Sequence, residues 1–256
     1  MTLESAGLVS LESVRTTGRI TEKYYTPVAS GLLLEELILP VVQPPIRVFC
    51  GSHDMALQDA AERLGPRQQI LAMYTGSLNG LVYLRQGVCH VVGAHLLDTN
   101  GEYNTPYVRH FFPDRSVTLL TLAYRTQGLM TAPGNPESIQ GVQDLVRPGV
   151  RFVNRNAGSG TRIHLDRELH AAGVPSSSIR GYEVEVNTHT EAARRIQNGV
   201  ADAAIGLEAA AYQHGLNFLP WFDERYDLIL LHESEDDLLP LLDYVQSAEY
   251  RQRTSS

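Results

Sequence analysis

The rhythm of hydrophobic and polar positions changes once along this chain, at about residue 46. Before it, short alternating pieces at 8–14 and 18–25 read as β-like, and the run Leu32-Leu33-Leu34-Glu35-Glu36-Leu37-Ile38-Leu39 is closed by Pro40 and Pro44-Pro45. Residues 1–44 are therefore expected to form an N-terminal appendage. After it, short continuous apolar runs alternate with segments of helical period. Strands buried on both faces and joined by helices leave this pattern, so the expected class is α/β, mainly parallel sheets with helices on both faces.

Ile46-Arg47-Val48-Phe49-Cys50 predicts a strand, Gly51-Ser52-His53-Asp54 a turn, and 55–64 an amphipathic helix ended by Gly65-Pro66. The plan repeats with a strand at 69–74, the turn Thr75-Gly76-Ser77 and a helix at 78–86. A third strand over 90–95 ends at His95 and opens on the polar loop 97–104. Two strands, 116–124 and 129–132, follow each other without a helix and predict a crossing between lobes, after which a short helix falls near 142–146. Phe152-Val153-Asn154-Arg155 reads as a strand, Asn156-Ala157-Gly158 as a turn and 161–172 as a helix.

A strand at 182–186 precedes Thr188-His189-Thr190-Glu191, a capping box that opens a helix running to Gln197. A strand at 201–205 is expected to return the chain to the first lobe. A helix at 209–214, closing strands at 216–221 and 226–232 and a final helix at 238–250 complete it. The expected lobes are 45–125 with 205–256, and 126–204, hinged near 124–127 and 203–206.

Three times a strand runs into Gly-Ser and then a helix (Gly51-Ser52, Gly76-Ser77, Gly158-Ser159), and a fourth time into Thr188. In an open α/β sheet the ligand lies beyond the carboxyl ends of the strands, so these turns can converge on one interlobe cleft. Each brings a hydroxyl, free N–H groups and the positive end of a helix dipole, which together suit an anion. The expected ligand-binding residues are Ser52, His53, Ser77, Leu78, His95, Ser159, Gly160, Thr161, Arg162, Thr188 and His189. Arg162 is the expected cation for a bound oxyanion, and the histidines are expected as imidazole donors lining the cleft. Asp54 would repel a dianion and reads as a helix-start residue facing solvent or an arginine; Glu208 reads as a helix-start acid.

A formal charge of -8 and the lack of a long Lys/Arg stripe argue against nucleic acid as a partner. The N-terminus has neither a basic region nor an apolar core of signal type, and no apolar run spans a bilayer, so the expected location is the cytoplasm. Cys50 and Cys89 fall in apolar strand-like segments and read as buried thiols. No ligand cluster of metal-site spacing, P-loop lysine, nucleophile elbow or dinucleotide fingerprint occurs, so neither metal, cofactor nor catalytic residue is expected.

In order along the chain, Gly51-Ser52-His53-Asp54, Gly76-Ser77-Leu78, His95-Leu96-Leu97-Asp98, Gln127-Gly128-Leu129, Asn154-Arg155 with Gly158-Ser159-Gly160-Thr161-Arg162, and Gly206-Leu207-Glu208-Ala209 resemble the periplasmic-binding-protein-like domain of cytoplasmic molybdate-related proteins. There that domain is fused to helix-turn-helix regulators or to the molybdopterin molybdenumtransferase. The resemblance implies a two-lobed type II solute-binding fold closing on tungstate or molybdate, and a non-enzymatic receptor. This chain lacks the helix-turn-helix and transferase parts, so a homodimer or a separate regulator or transferase partner is what the resemblance leaves open. The alternative it implies is an accessory or enzyme of molybdenum-cofactor biosynthesis, with a pterin or nucleotide in the cleft.

Overall fold

The computed structural model describes residues 9–17, 20–27, 45–65 and 67–254. The run at 32–39, with Pro40, Pro44 and Pro66, lies outside them. Two compact units are present, Met1–Ile38 and Leu39–Ser256. In the first, β1 (Val9–Thr17) and β2 (Ile20–Pro27) pair antiparallel, with a register shift between Leu11 and Ser13.

The second unit runs β3 (Ile46–Gly51), α1 (Met55–Leu64), β4 (Gln69–Met73), α2 (Ser77–Gln86), β5 (Val91–Ala94), α3 (Thr105–Phe111) and β6 (Val117–Thr131). A 3-10 turn (Val142–Val146), β7 (Phe152–Arg155), α4 (Gly160–Ala171), β8 (Glu185–Val186), α5 (His189–Gln197), β9 (Ala203–Leu207) and α6 (Glu208–Gln213) follow. The chain closes with β10 (Asn217–Leu231), α7 (Glu235–Gln246) and α8 (Ala248–Thr254). The strands form one eight-stranded mixed sheet in the order β4-β3-β5-β10-β6-β9-β7-β8.

The inner strands β3, β5, β7 and β9 are largely apolar on both faces because helices cover both. In the first lobe Phe49, Val91, Leu228 and Leu230 pack toward α1 and α7, while Val48, Cys50, Val92 and Ile229 pack toward α2. Cys50 and Cys89 are buried free thiols of that second layer. The second lobe repeats the scheme, with Met130, Val153 and Ala204 on the α5–α6 side and Leu129, Phe152 and Ile205 on the α4 side. A two-lobed α/β fold results.

The lobes are joined by β6 and β10, which pair antiparallel over almost their whole length. Here the structure departs from the sequence pattern. The predicted strands 116–124 and 129–132 are one strand, and so are 216–221 and 226–232. Arg125, Gln127 and Glu224 interrupt the apolar runs, yet their side chains bond one another, so backbone pairing continues straight through them. Register shifts at Pro220/Phe222 and Tyr226/Asp227 bracket the crossing segment of β10, as bulges that bend a strand do.

The expected return at 201–205 moves accordingly. β9 pairs with β6 and β7, and Leu207, Ala210 and Ala211 pack with Met130 and Val153, so β10 is what carries the chain back. The predicted final helix is two, α7 and α8, divided at Ser247, whose hydroxyl accepts from the Tyr250 N–H at 3.1 Å.

Gly93 of β5 shows how tightly the first lobe is packed against the crossing. A Cβ there would collide with the Tyr226 hydroxyl and stand 2.8 Å from the Phe49 ring. Gly93→Ala is expected to destabilise the protein by about 1–3 kcal/mol, the usual cost of overpacking, as a lower urea midpoint with unchanged slope.

Candidate functional site

The carboxyl ends of β3, β5 and β7 and the starts of α1, α2, α4 and α5 face one another where the lobes meet. From the first lobe, Ser52 and Ser77 are fully buried with their hydroxyl oxygens 2.9 Å apart, and Ser77 Oγ accepts the His95 backbone N–H at 3.2 Å. From the second, Ser159 caps α4 by accepting from Arg162 N at 3.2 Å, with Gly160 and Thr161 buried in the first turn.

The two sets touch directly. Leu78 N donates to Gly158 O at 3.2 Å, and a Cβ on Gly76 would lie 2.9 Å from Gly158 C and Ser159 N. A Cβ on Gly160 would meet His95 Cε1 at 2.6 Å and the His95 carbonyl at 2.7 Å. Only glycine permits lobes to close this far. Eight of the expected residues thus converge: Ser52, His53, Ser77, His95, Ser159, Gly160, Thr161 and His189 are all buried there.

Three others have different employment. Leu78 contributes its backbone, while its side chain packs in the first-lobe core. Thr188 caps α5, accepting from Glu191 N at 3.0 Å. Arg162, expected to hold the anion, instead donates to Asp166 at 3.1 Å and Glu185 at 3.0 Å and lies 4.0 Å over the Tyr182 ring. Two carboxylates already neutralise it.

The cation of this site is Arg155, the last residue of β7 and 1% exposed. Nε donates to Val186 O at 3.3 Å, Nη2 donates to Asn187 O at 2.9 Å, and Nη1 lies 2.9 and 2.8 Å from the two ring nitrogens of His189. Three contacts leave two of the five guanidinium N–H groups unspent, and no carboxylate of the described residues pairs with it. Burial, then the charge of Arg125, pull its pKa down to about 10, so it stays charged at neutral pH.

Arg125 is the opposite case. It pairs with Asp54 at 2.8 Å and with Glu224, and stands 4.0 Å over the Tyr226 ring. Asp54 also caps α1 by accepting from Leu57 N at 2.8 Å, so the arginine-facing alternative is the one realised. Glu224 further accepts from Gln127 Nε2 at 2.6 Å and from His95 Nδ1. Burial pushes the Glu224 pKa up, but Arg125 and His95 outweigh it and hold it at about 2. Burial keeps His95 neutral, despite the carboxylate beside it.

Arg125 and Glu224 escaped the sequence reading, and Gln127 and Arg155 entered it only within the stretches that carry the resemblance, with no site role. Arg125 and Gln127 look like a polar turn, and a lone arginine ending a strand looks like an ordinary strand end. The available signal was charge inside otherwise apolar runs, which burial tolerates only when it is paired or functional.

Burial also lowers His53, to about 4, and His189, well below the ordinary range with Arg155 adding to the effect. His53 Nδ1, His95 Nε2, Asn156 Oδ1 and Thr161 Oγ1 are buried without hydrogen-bond partners among the described residues. Beside this cluster, a cavity of about 180 Å³ opens between His95, Gly160 and Glu224, walled by Tyr103, Tyr107, His164 and Phe222.

A sequence profile described as the PBP superfamily domain matches residues 58–244. The chain belongs to the PBP superfamily. YvgK of Bacillus subtilis (strain 168), itself uncharacterized, is 38% identical over 211 residues, covering 81% of this PBP superfamily chain and 68% of that protein. Among solved structures, a protein assigned as a phosphate ABC-transporter substrate-binding protein from Clostridium perfringens, with phosphate bound, aligns with TM-score 0.57 at 14% identity over 81% of this chain and 96% of that one. The tungstate ABC transporter structure from Geobacter sulfurreducens aligns with TM-score 0.52 at 17% identity over 80% and 95%. At these identities the likeness shows a solute-binding fold and nothing finer.

The neutral histidines set an acid limit. A histidine that is depressed in the folded state binds more protons when unfolded, so stability is full above the unfolded value of about 6.5 and is lost as pH falls toward the folded one. For His53 that window runs from 6.5 to about 4, with His95 and His189 acting in the same direction. The expected result is a melting temperature that falls steadily from pH 7 to pH 4.5, and less steeply in His53→Asn.

Proposed function

We propose that this protein captures a small tetrahedral oxyanion between its lobes, with Arg155 as its countercharge. One observation carries the reading: Arg155 is a buried guanidinium with two unspent donors and no acidic partner among the described residues. A buried charge without a direct partner is destabilising by several kcal/mol, and a bound anion gives Arg155 that partner. The groups around it favour an anion as well. The hydroxyls of Ser52, Ser77 and Thr161 and the N-termini of α4 and α5 are donors, and hydrogen bonds to a charged group contribute roughly 1.5–3 kcal/mol each. With the lobes in direct contact, entry requires them to part about the β6–β10 crossing, the usual hinge mode of such clefts.

Tungstate or molybdate is the ion we infer, on the resemblance of the Gly-Ser turns to molybdate-related domains, and capture in the cytoplasm is part of the same reading. A second reading, a pterin or nucleotide ligand of molybdenum-cofactor assembly, is favoured by the aromatic walls of the 180 Å³ cavity next to the turns.

Thermal shift with tungstate, molybdate, sulfate and phosphate tests the oxyanion. A ligand at 100 times its dissociation constant is expected to add about 2.7 kcal/mol. Arg155→Gln is expected to abolish the gain, whereas Arg162→Gln, which removes an already neutralised charge, is expected to keep it. No stabilisation by any of the four anions overturns the reading. Stabilisation by a pterin or nucleotide alone selects the second one.

A further inference from the structure

Although no carboxylate of the described residues bonds Arg155 directly, its charge already has a counterpart elsewhere in the cleft. Arg125 carries one positive charge against the two carboxylates of Asp54 and Glu224, and Arg155 supplies the second positive charge. With the histidines neutral the set sums to zero. A monoanion leaves one negative charge unmatched after closure, and a dianion leaves two, in a site where unmatched charge is strongly disfavoured.

One side chain is built to correct this. His53 is fully buried, and its Nε2 lies 3.0 Å from Gln58 Oε1. The orientation of Gln58 is fixed from the other side, since its Nε2 donates to Glu62 Oε1 at 3.3 Å. The imidazole must therefore carry its proton on Nε2, and Nδ1 holds a bare lone pair with no partner among the described residues. Around the ring stand Asp54, Gln58 of α1, Tyr74 at 4.8 Å between centroids, His189 of α5 at 5.9 Å, and the charges of Arg125 and Arg155. Cations and desolvation dominate that list, so the ring is neutral until an anion enters.

We infer that the cleft takes up a doubly charged oxyanion together with one proton, and that His53 Nδ1 holds it. The inference rests on the oxyanion reading and goes beyond it by fixing the charge state of what is captured. On binding, the lone pair that faced no partner becomes an N–H donor, and the closed site gains one negative charge in place of two. Protons bound in the complex but not in the free protein make affinity rise as pH falls, by up to about tenfold per pH unit for one proton. The window runs from the value His53 takes beside the anion down to about 4, where it titrates in the free protein.

Calorimetric titration of the full chain with sodium sulfate and with sodium molybdate, each in PIPES, HEPES and Tris at one pH, reads the proton directly. Neither anion carries a proton near neutrality, so any uptake belongs to the protein. The expected result is a heat that varies linearly with the ionisation enthalpy of the buffer, with a slope near one proton taken up, and an affinity that rises between about pH 8 and pH 6. In His53→Asn, which keeps a polar atom near the Nδ1 position and cannot titrate, the slope is expected to fall toward zero and the affinity to lose its pH dependence. His170→Asn, on the exposed end of α4, is expected to behave as the parent. Binding with the same heat in all three buffers overturns the inference and leaves the oxyanion reading standing. Uptake that persists in His53→Asn overturns the assignment to His53. Absence of binding by both anions at every pH removes the oxyanion reading and the inference with it.

Discussion

The ion pair between Arg125 and Glu224 holds the two halves of this fold in register. The residues are direct cross-strand partners on β6 and β10, at the point where both strands pass from one lobe to the other. Asp54 reaches the pair from the start of α1, His95 from the end of β5, and Gln127 from the next inward position of β6. Two turns of the first lobe are thereby fixed to the crossing strands. Buried ion pairs contribute little stability compared with apolar packing of the same volume, whereas losing one partner is severe. The effect of this cluster is accordingly one of placement: it orients the His53–Asp54 turn and the His95 ring, and it lets charged residues sit inside strands.

The two buried arginines divide the work. Arg125 is saturated by carboxylates and an aromatic face, and its charge is unavailable to a ligand. Arg155 is held by main-chain carbonyls and an imidazole, which orient it without neutralising it. Arg162, on the outer side of the same turn, is held by two carboxylates and an aromatic ring. Three arginines near the lobe junction therefore have two electrical states, and of the three only Arg155 has no carboxylate partner among the described residues.

Closure depends on small residues as much as on charge. Gly76 and Gly160 bring the turns of the two lobes to backbone contact, and the burial that follows lowers the pKa of His53, His95 and His189. Packing thus sets the electrostatics. The same turns, held apart in water, would present ordinary histidines and solvated hydroxyls.

Much of this was legible in the chain itself. Doubly apolar runs separated by helical periods specify a covered α/β sheet, because strands with two buried faces need helices on both. The Gly-Ser turns and the Thr188 capping box mark helix starts through local hydrogen-bond chemistry, which acts over three or four residues and so can be read locally. Eight of the eleven expected site residues meet in the cleft for that reason. Tertiary structure alone decided which charges are spent. Whether an arginine's charge is spent depends on carboxylates 71 and 99 positions away for Arg125 and 23 positions away for Arg162, with none bonded to Arg155 among the described residues, and the continuity of β6 through Arg125 depends on Glu224 from the far end of the chain. Pairing over such separations is set by the packed sheet, and no local pattern encodes it.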